Sequence, residues 1–218
     1  MSGTGPAHII LWCLGAFLAG SVPFGLVLVK LAGKGDVRSH GSGNIGATNV
    51  SRVGGKALGI VTLLLDIAKG WLPVALALHW KLEWSAVALV ALCAVLGHVF
   101  TPWLKFKGGK GVATALGTAL ALDPMWVVPS AVLFALVLLA TRYVSLGSVL
   151  GSALMPVVLL WMLWGHPLVV FIPNPWVGIA IWTTVFLVVI VKHHENLRRL
   201  WKGTESPLWG AKKEPTDA

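Results

Sequence analysis

The stretch His8–Val29, HIILWCLGAFLAGSVPFGLVLV, contains 22 residues and no charged side chain. About 20 consecutive apolar residues suffice to span the hydrocarbon core of a bilayer as a helix. The whole chain of 218 residues is 56% hydrophobic and 11% charged, whereas soluble domains carry about 25% charged residues. The sequence therefore predicts an all-α polytopic membrane protein rather than a soluble domain.

Six further apolar segments follow the first, and together they predict seven transmembrane helices in a single integral membrane domain over 1–218. The predicted spans are 8–29, 57–78, 84–100, 112–122, 125–140, 146–164 and 176–191. The fourth is only 11 residues long, which is short for a complete crossing. Six spans therefore stay open as an alternative.

The basic residues favour seven spans and give the orientation. With the N-terminus outside and the C-terminus in the cytoplasm, 15 of the 17 Lys and Arg residues fall on the cytoplasmic side, as the positive-inside rule expects. Lys81 falls outside, and Lys69 lies within a span. The net charge of +9 is thereby explained without nucleic acid as a partner.

A polar, glycine-rich segment, RSHGSGNIGATNVSR (Arg38–Arg52), separates the first two apolar segments. Glycine lets backbone N–H groups approach an anion closely, and an arginine can bind phosphate with two parallel hydrogen bonds. A flexible linker would need glycine and serine but not this set of amides, hydroxyls and arginine. The segment predicts a phosphate-binding loop. Its candidate residues are Gly41, Ser42, Gly43, Asn44, Thr48, Asn49 and Arg52.

A second polar segment, KFKGGKGVAT (Lys105–Thr114), leads into the short fourth span. Its GGKG run would present N–H donors just before a helix, where the helix dipole favours an anion. It does not match the spacing of a Walker A loop. An ordinary glycine turn with cytoplasmic lysines is the alternative. The candidate phosphate ligands are Lys107, Gly108, Gly109, Lys110 and Gly111.

The third polar segment, KHHENLRRLWKGTE (Lys192–Glu205), follows the last span. If that helix continues, His193 and Asn196 share a face with two leucines, which predicts that both point into the protein. Within the second span, Asp66 and Lys69 are three residues apart. Charges inside a membrane are usually paired or functional, so we expect a structural ion pair first and a part in the site second.

Taken together, the three polar segments resemble the PlsY family, the acyl-phosphate:glycerol-3-phosphate acyltransferases of bacterial membranes. The segments that carry the resemblance are GSGNIGATNVSR (Gly41–Arg52), GHVFTPWLKFKGGKGVAT (Gly97–Thr114) and HHENLRRLWKGTE (His193–Glu205). A fourth segment, LLLDIAKG (Leu63–Gly70), is also similar to the family. The similarity extends over nearly the whole chain.

The resemblance implies transfer of a fatty acyl group from acyl phosphate to the 1-hydroxyl of glycerol 3-phosphate. The products would be lysophosphatidic acid and inorganic phosphate, in the committed step of bacterial phospholipid biosynthesis. It implies a location in the bacterial cytoplasmic (inner) membrane and an active site on the cytoplasmic face. Ser42, Arg52, His193 and Asn196 would be catalytic, and Glu205 would be structural. Acyl phosphate, glycerol 3-phosphate and membrane lipid would be the partners. No cofactor, metal or obligatory protein partner is expected.

Two positions depart from the family pattern. Thr101 stands where the family usually has a proline directly after the aromatic residue, and Lys192 stands where an arginine usually precedes His193. The sequence leaves open whether His193 acts as a general base or only binds substrate. It also leaves open which phosphate Lys107 and Lys110 each contact. A phosphate transporter is the main alternative class, although such proteins usually show internal repeats and broken helices at mid-membrane, and no clear repeat occurs here.

Overall fold

Ten α-helices make up most of residues 5–162 and 174–209, the parts of the chain that the computed structural model describes, and no strand occurs in them. The helices are α1 Pro6–Ser21, α2 Phe24–Leu31, α3 Ala47–Gly54, α4 Lys56–His79, α5 Trp84–Val99, α6 Val112–Leu122, α7 Pro124–Thr141, α8 Val144–Met162, α9 Pro175–Lys192 and α10 His194–Trp201. Two short 3₁₀ turns cover Val37–Ser39 and Pro102–Leu104. The predicted all-α class is confirmed.

Five apolar segments are long enough to cross a membrane. They are Pro6–Leu31, Lys56–His79, Trp84–Leu104, Pro124–Thr141 and Val144–Trp161. A sixth candidate joins Trp176–Lys192 to His194–Trp201 across a bend of 56°. Val112–Leu122 forms a helix of only 11 residues, so the count of seven spans stays a prediction. The last two residues of the predicted span 146–164 lie outside the described residues.

The first predicted span is broken into α1 and α2 at Pro23. Proline has no N–H and disfavours helical geometry in the residue before it, so Val22 is extended, with φ −60° and ψ 119°. The carbonyl groups freed at the break find donors: Thr101 Oγ1 donates to Ser21 O at 2.7 Å, and Lys69 Nζ donates to Val22 O at 2.7 Å. Thr101, which stands where the family usually has proline, therefore gives a hydrogen bond to a carbonyl group that the break leaves free.

Close packing between helices depends on glycine at two contacts between α4 and α6. A Cβ atom at Gly70 would overlap the carbonyl of Thr114, and one at Gly117 would overlap the carbonyl of Ile67. Small residues let helix backbones approach in this way inside membranes. The short helix α6 is thus held along the long helix α4, and its N-terminal end is fixed in place.

A buried apolar cluster joins α5, α6, α7, α8 and α9. It includes Val95, Ala119, Trp126, Leu159 and Trp182. A second cluster joins α1, α4 and α5, and a third lies around α2, α3 and the turn Val37–Ser39. The first cluster borders a cavity between α3, α6, α7, α8 and α9, which contains the candidate site.

Asp66 and Lys69 form the ion pair that the sequence predicted. Lys69 Nζ lies 2.7 Å from Asp66 Oδ1, and the two side chains are only 3–4% exposed. A buried pair of this kind contributes little net stability, but losing one partner leaves an uncompensated charge.

Replacing Asp66 by leucine is therefore expected to lower the free energy of unfolding by about 3–5 kcal/mol. Replacing both residues, Asp66→Leu with Lys69→Met, removes the orphan charge and should recover part of this loss, since the hydrogen bond from Lys69 to Val22 O is lost as well. The readout is thermal unfolding of purified protein in detergent. A double variant no more stable than the single variant would contradict a purely electrostatic role for the pair.

Candidate active site

A cavity of about 340 Å³ extends from a polar end into the helices. The polar end is lined by Ser42, Asn44, Thr48, Arg52, Lys110, His193, Asn196, Glu205 and Ser206. The other end is lined mainly by apolar residues and glycine, with three serines among them: Leu116, Ala119, Val127, Ser130, Ala131, Phe134, Ser148, Gly151, Ser152, Met155, Trp182, Val185 and Val189. The shape suits a ligand with an anionic head and a long apolar chain.

Asn49 organises the loop in front of α3. Its Oδ1 accepts the N–H of Ser42 at 2.8 Å, while its Nδ2 donates to the carbonyls of Val37 and Asn44 at 2.9 Å each. Gly41 has a φ of +60°, and a Cβ atom there would overlap Asn49 Oδ1. Because the carboxamide of Asn49 is used within the loop, the residue shapes the site rather than offering its side chain to a ligand.

Two helix N-termini reach the polar end. α3 follows Gly46 and α6 follows Gly111, and neither has a side-chain cap. The first N–H groups of a helix have no partner within the helix, and the helix dipole adds positive potential there. Residues of both first turns line the cavity, including Ala47 and Val112. This arrangement suits phosphate.

The GGKG run supplies fewer free amides than its sequence suggests. The N–H of Gly108 donates to Val99 O and the N–H of Gly109 donates to His98 O, both at 3.1 Å. The expectation that all four amides face an anion is therefore wrong for Gly108 and Gly109. Among the described residues, no backbone hydrogen bond uses the N–H of Lys110 or Gly111, and these two residues line the cavity.

Lys110 ends a chain of hydrogen bonds that crosses the polar end. Its Nζ donates to Asn196 Oδ1 at 2.6 Å, and Asn196 Nδ2 donates to Glu205 Oε1 at 2.6 Å. Glu205 also accepts from Ser145 Oγ at 2.7 Å and from Arg199 Nε at 2.8 Å. The chain links the second and third polar segments of the sequence and fixes the direction of the Lys110 ammonium group.

Burial sets the charge states of this network. Desolvation lowers the pKa of Lys110 to about 8, although the Glu205 carboxylate partly opposes the shift. Burial alone would raise the pKa of Glu205, but hydrogen bonds from Asn196, Ser145 and Arg199 outweigh it and lower that pKa. Glu205 is therefore ionised at neutral pH, and Lys110 changes charge near pH 8.

His193 lies at the bend between α9 and α10. The predicted continuous helix is wrong, because the two helices meet at 56°. His193 and Asn196 nevertheless both point inward, as predicted, with 2% and 6% exposure. His193 Nδ1 lies 2.8 Å from Val189 O. A carbonyl only accepts, so Nδ1 carries the proton and Nε2 is left as an acceptor. Burial, with the nearby Lys110 charge, lowers the pKa of His193 to about 4.

Arg52 joins the first polar segment to the end of the third. It shares the helix α3 with Thr48, one turn earlier, and both line the cavity. The guanidinium NH2 group donates to the carbonyl of Ser206 at 3.0 Å, and the remaining N–H groups can bind an anion. With Lys110, Arg52 makes the polar end of the cavity cationic.

Comparison with known proteins identifies the family. The family model described as glycerol-3-phosphate acyltransferase matches residues 10–203. The chain belongs to this family. A glycerol-3-phosphate acyltransferase of Trichlorobacter lovleyi is 47% identical over 199 residues, covering 90% of this chain and 96% of the relative. One of Syntrophotalea carbinolica is 46% identical over 196 residues, covering 88% and 94%.

Two crystal structures of PlsY (YgiH), an integral membrane glycerol 3-phosphate acyltransferase, are similar to this chain. The glycerol 3-phosphate form superimposes with a TM-score of 0.81 at 34% identity, covering 93% of this chain and 96% of that one. The lysophosphatidic acid form superimposes with a TM-score of 0.78, covering 91% and 94%.

The structure brings most of the predicted site residues of this glycerol-3-phosphate acyltransferase family member to one cavity. Those that line it are Ser42, Asn44, Thr48, Asn49, Arg52, Asp66, Lys110, Gly111, His193, Asn196 and Glu205. Those that do not are Gly41, Gly43, Lys69, Lys107, Gly108 and Gly109. Lys107 is exposed. Among the described residues, no cluster of His, Cys, Asp or Glu could hold a metal ion.

Two residues that take part in the candidate site were not identified from the sequence. Ser145 donates a hydrogen bond to Glu205. Its signal was a serine directly before a predicted span, at a spacing that shares a helix face with Ser148 and Ser152. Ser206 contributes through its carbonyl, for which no side-chain signal exists.

Proposed function

We propose that this protein transfers a fatty acyl group from acyl phosphate to the 1-hydroxyl of glycerol 3-phosphate, releasing lysophosphatidic acid and inorganic phosphate. We place this reaction at the committed step of bacterial phospholipid biosynthesis. The observation that carries the proposal is one cavity with a cationic, amide-rich end and a long apolar end. Both proposed substrates carry phosphate, and the donor also carries an acyl chain.

In the proposed reaction, the hydroxyl oxygen of glycerol 3-phosphate attacks the carbonyl carbon of the acyl phosphate. The new C–O ester bond forms, the C–O bond to phosphate breaks, and phosphate leaves with the electron pair. Arg52, Lys110, the N–H groups of the first turn of α3 and those of Lys110 and Gly111 before α6 hold the two phosphates and stabilise developing charge. Ser42 and Thr48 offer hydroxyl groups at the same end, and Asn196 positions Lys110.

In this proposal the hydroxyl proton passes to a phosphate oxygen of the substrate. His193 positions glycerol 3-phosphate by accepting a hydrogen bond from it at Nε2. A pKa of about 4 makes His193 a weak base at neutral pH. Its Nδ1–H group is held by a backbone carbonyl rather than by a carboxylate that would strengthen it.

His193→Gln is therefore expected to keep kcat within about tenfold of the native value while raising KM for glycerol 3-phosphate. The exposed neighbour His194, which also bonds a backbone carbonyl, provides the matched control His194→Gln, with native kinetics. A loss of kcat of about 10³-fold or more in His193→Gln would identify a general base instead.

The donor is tested by supplying purified protein with glycerol 3-phosphate and one of three donors: palmitoyl phosphate, palmitoyl coenzyme A or palmitoyl acyl carrier protein. We expect lysophosphatidic acid from palmitoyl phosphate alone, and its loss in Arg52→Ala. Product from a thioester donor but not from acyl phosphate would overturn the proposed donor. If no donor gives lysophosphatidic acid, acyl transfer is overturned, and a phosphate transport assay in vesicles becomes the next test.

We further propose a single integral membrane domain with seven spans in the inner membrane, an outside N-terminus and a cytoplasmic active site. The support is the side on which the basic residues fall. In a background lacking Cys13 and Cys93, Lys81→Cys is expected to react with a membrane-impermeant maleimide in intact cells. Lys105→Cys should react only after permeabilisation. The opposite labelling would reverse the orientation.

A further inference from the structure

The apolar end of the cavity is closed by four side chains from four helices, here called the cavity floor. These are Ala119 on α6, Val127 on α7, Met155 on α8 and Trp182 on α9. All four line the cavity and also belong to the buried apolar cluster, with exposures of 1–7%. One turn or less beyond them, Trp126 and Leu159 are buried and do not line the cavity. The floor is therefore backed by packed protein.

The depth of the cavity follows from the helix that runs along it. Trp182, Val185, Val189 and His193 line it at spacings of three or four residues, which is one helical face. At 1.5 Å per residue, Trp182 lies about 16 Å from His193 along the axis. One leaflet of bilayer hydrocarbon is about 15 Å thick. From its polar end to its floor, the cavity is thus about as deep as one leaflet of hydrocarbon is thick.

We propose that the cavity floor sets the longest acyl chain that the protein transfers efficiently, with Ala119 and Trp182 as its specificity-determining residues. This inference rests on the proposed function. Each methylene that the apolar end can contain should improve use of a donor taken from water by up to about fourfold. Once the chain end meets the floor, a further methylene must displace close-packed side chains, and the gain ends.

The two residues allow changes in opposite directions. Ala119→Leu makes the apolar end shorter. It is expected to lower by about tenfold the ratio of lysophosphatidic acids with the longest acyl chains to those with shorter chains. Trp182→Ala makes the apolar end deeper and should raise that ratio by about tenfold. Trp176 is a matched control on the same helix, because it is 66% exposed and lies away from the cavity. Trp176→Ala should keep the native product profile.

The experiment supplies purified protein with glycerol 3-phosphate and an equimolar mixture of saturated acyl phosphates from decanoyl to eicosanoyl. Mass spectrometry gives the distribution of lysophosphatidic acids, and thermal unfolding checks that each variant is folded. Opposite shifts in Ala119→Leu and Trp182→Ala, with Trp176→Ala unchanged, would support the inference. Trp182→Phe and Ala119→Val carry the test if the larger changes prevent folding.

Two negative results have different meanings. Native protein that makes lysophosphatidic acid, with folded variants that keep its chain-length profile, would overturn the floor while leaving the proposed function intact. That outcome would mean that the chain leaves the cavity sideways toward lipid. Native protein that makes no lysophosphatidic acid from any donor in the mixture would overturn the proposed function, and the role of the floor with it.

Discussion

Replacing Lys110 by methionine is expected to lower kcat/KM for glycerol 3-phosphate by about 10²- to 10³-fold, the usual effect of losing one preorganised charge-stabilising donor. Lys110 is the cation of the GGKG run that lines the cavity, and a hydrogen bond of 2.6 Å from its Nζ to Asn196 fixes its direction. Methionine keeps the length and apolar stem of the side chain but removes the charge. Initial rates at varied glycerol 3-phosphate give the readout.

Lys107→Met is the matched control for this loss. Lys107 lies in the same loop and carries the same charge, but it is exposed and outside the cavity. We expect its kcat/KM to stay within about twofold of the native value, since exposed charges contribute little. Equal losses in the two variants would mean that the loop acts only through its overall charge.

The pH dependence gives a second readout on the same side chain. With a pKa of about 8, Lys110 is charged below that pH and neutral above it. The substrate phosphate is already a dianion there, because its second pKa is about 6. In the native protein, kcat/KM should therefore fall as pH rises through 8. Lys110→Arg keeps its charge and should delay the fall.

Replacing Glu205 by alanine is expected to reduce both stability and activity. The Glu205 side chain is 7% exposed and accepts hydrogen bonds from Ser145, Asn196 and Arg199. Hydrogen bonds to a charged group contribute about 1.5–3 kcal/mol, so we expect a loss of roughly 3 kcal/mol and a Tm lower by roughly 5–10 °C. Activity should fall by about tenfold or more, because Asn196 no longer holds Lys110 in place.

Glu195 provides the control for Glu205. It also pairs with Arg199, at 3.9 Å, but its side chain is 61% exposed. Glu195→Ala should change Tm and activity little, as is usual for an exposed ion pair on a helix. Comparable losses in the two variants would show that the Arg199 charge, rather than the Glu205 network, is what matters.

The all-helical fold and several helix bounds could be predicted from the sequence because the length of an apolar segment is a local signal. Val112–Leu122 and Trp84–Val99 form helices within one residue of their predicted bounds. The break at Pro23 was missed, because proline is tolerated in membrane helices when other groups satisfy the backbone. Here Lys69 does so from α4 and Thr101 from the segment after α5, and a sequence does not reveal such distant partners.

The sequence could predict which types of residue form the site, but not which of them contact one another or face the cavity. Arg52, His193 and Asn196 line the cavity as expected. The sequence left Lys107 and Lys110 equivalent, and the structure separates them because the loop turns one outward and one inward. Asn49 was expected to bind phosphate, whereas its carboxamide holds the loop. These differences arise from loop geometry, which periodicity and composition do not determine.

The most direct test of acyl transfer from acyl phosphate uses glycerol 3-phosphate labelled with oxygen-18 in its 1-hydroxyl. Purified protein would be supplied with this acceptor and palmitoyl phosphate, and both products would be analysed by mass spectrometry. Attack on the acyl carbon predicts equal amounts of lysophosphatidic acid and phosphate, with the label in the ester and none in the phosphate. A product with a second phosphate ester at C1, bridged by the labelled oxygen, would contradict it, and so would phosphate release without lysophosphatidic acid.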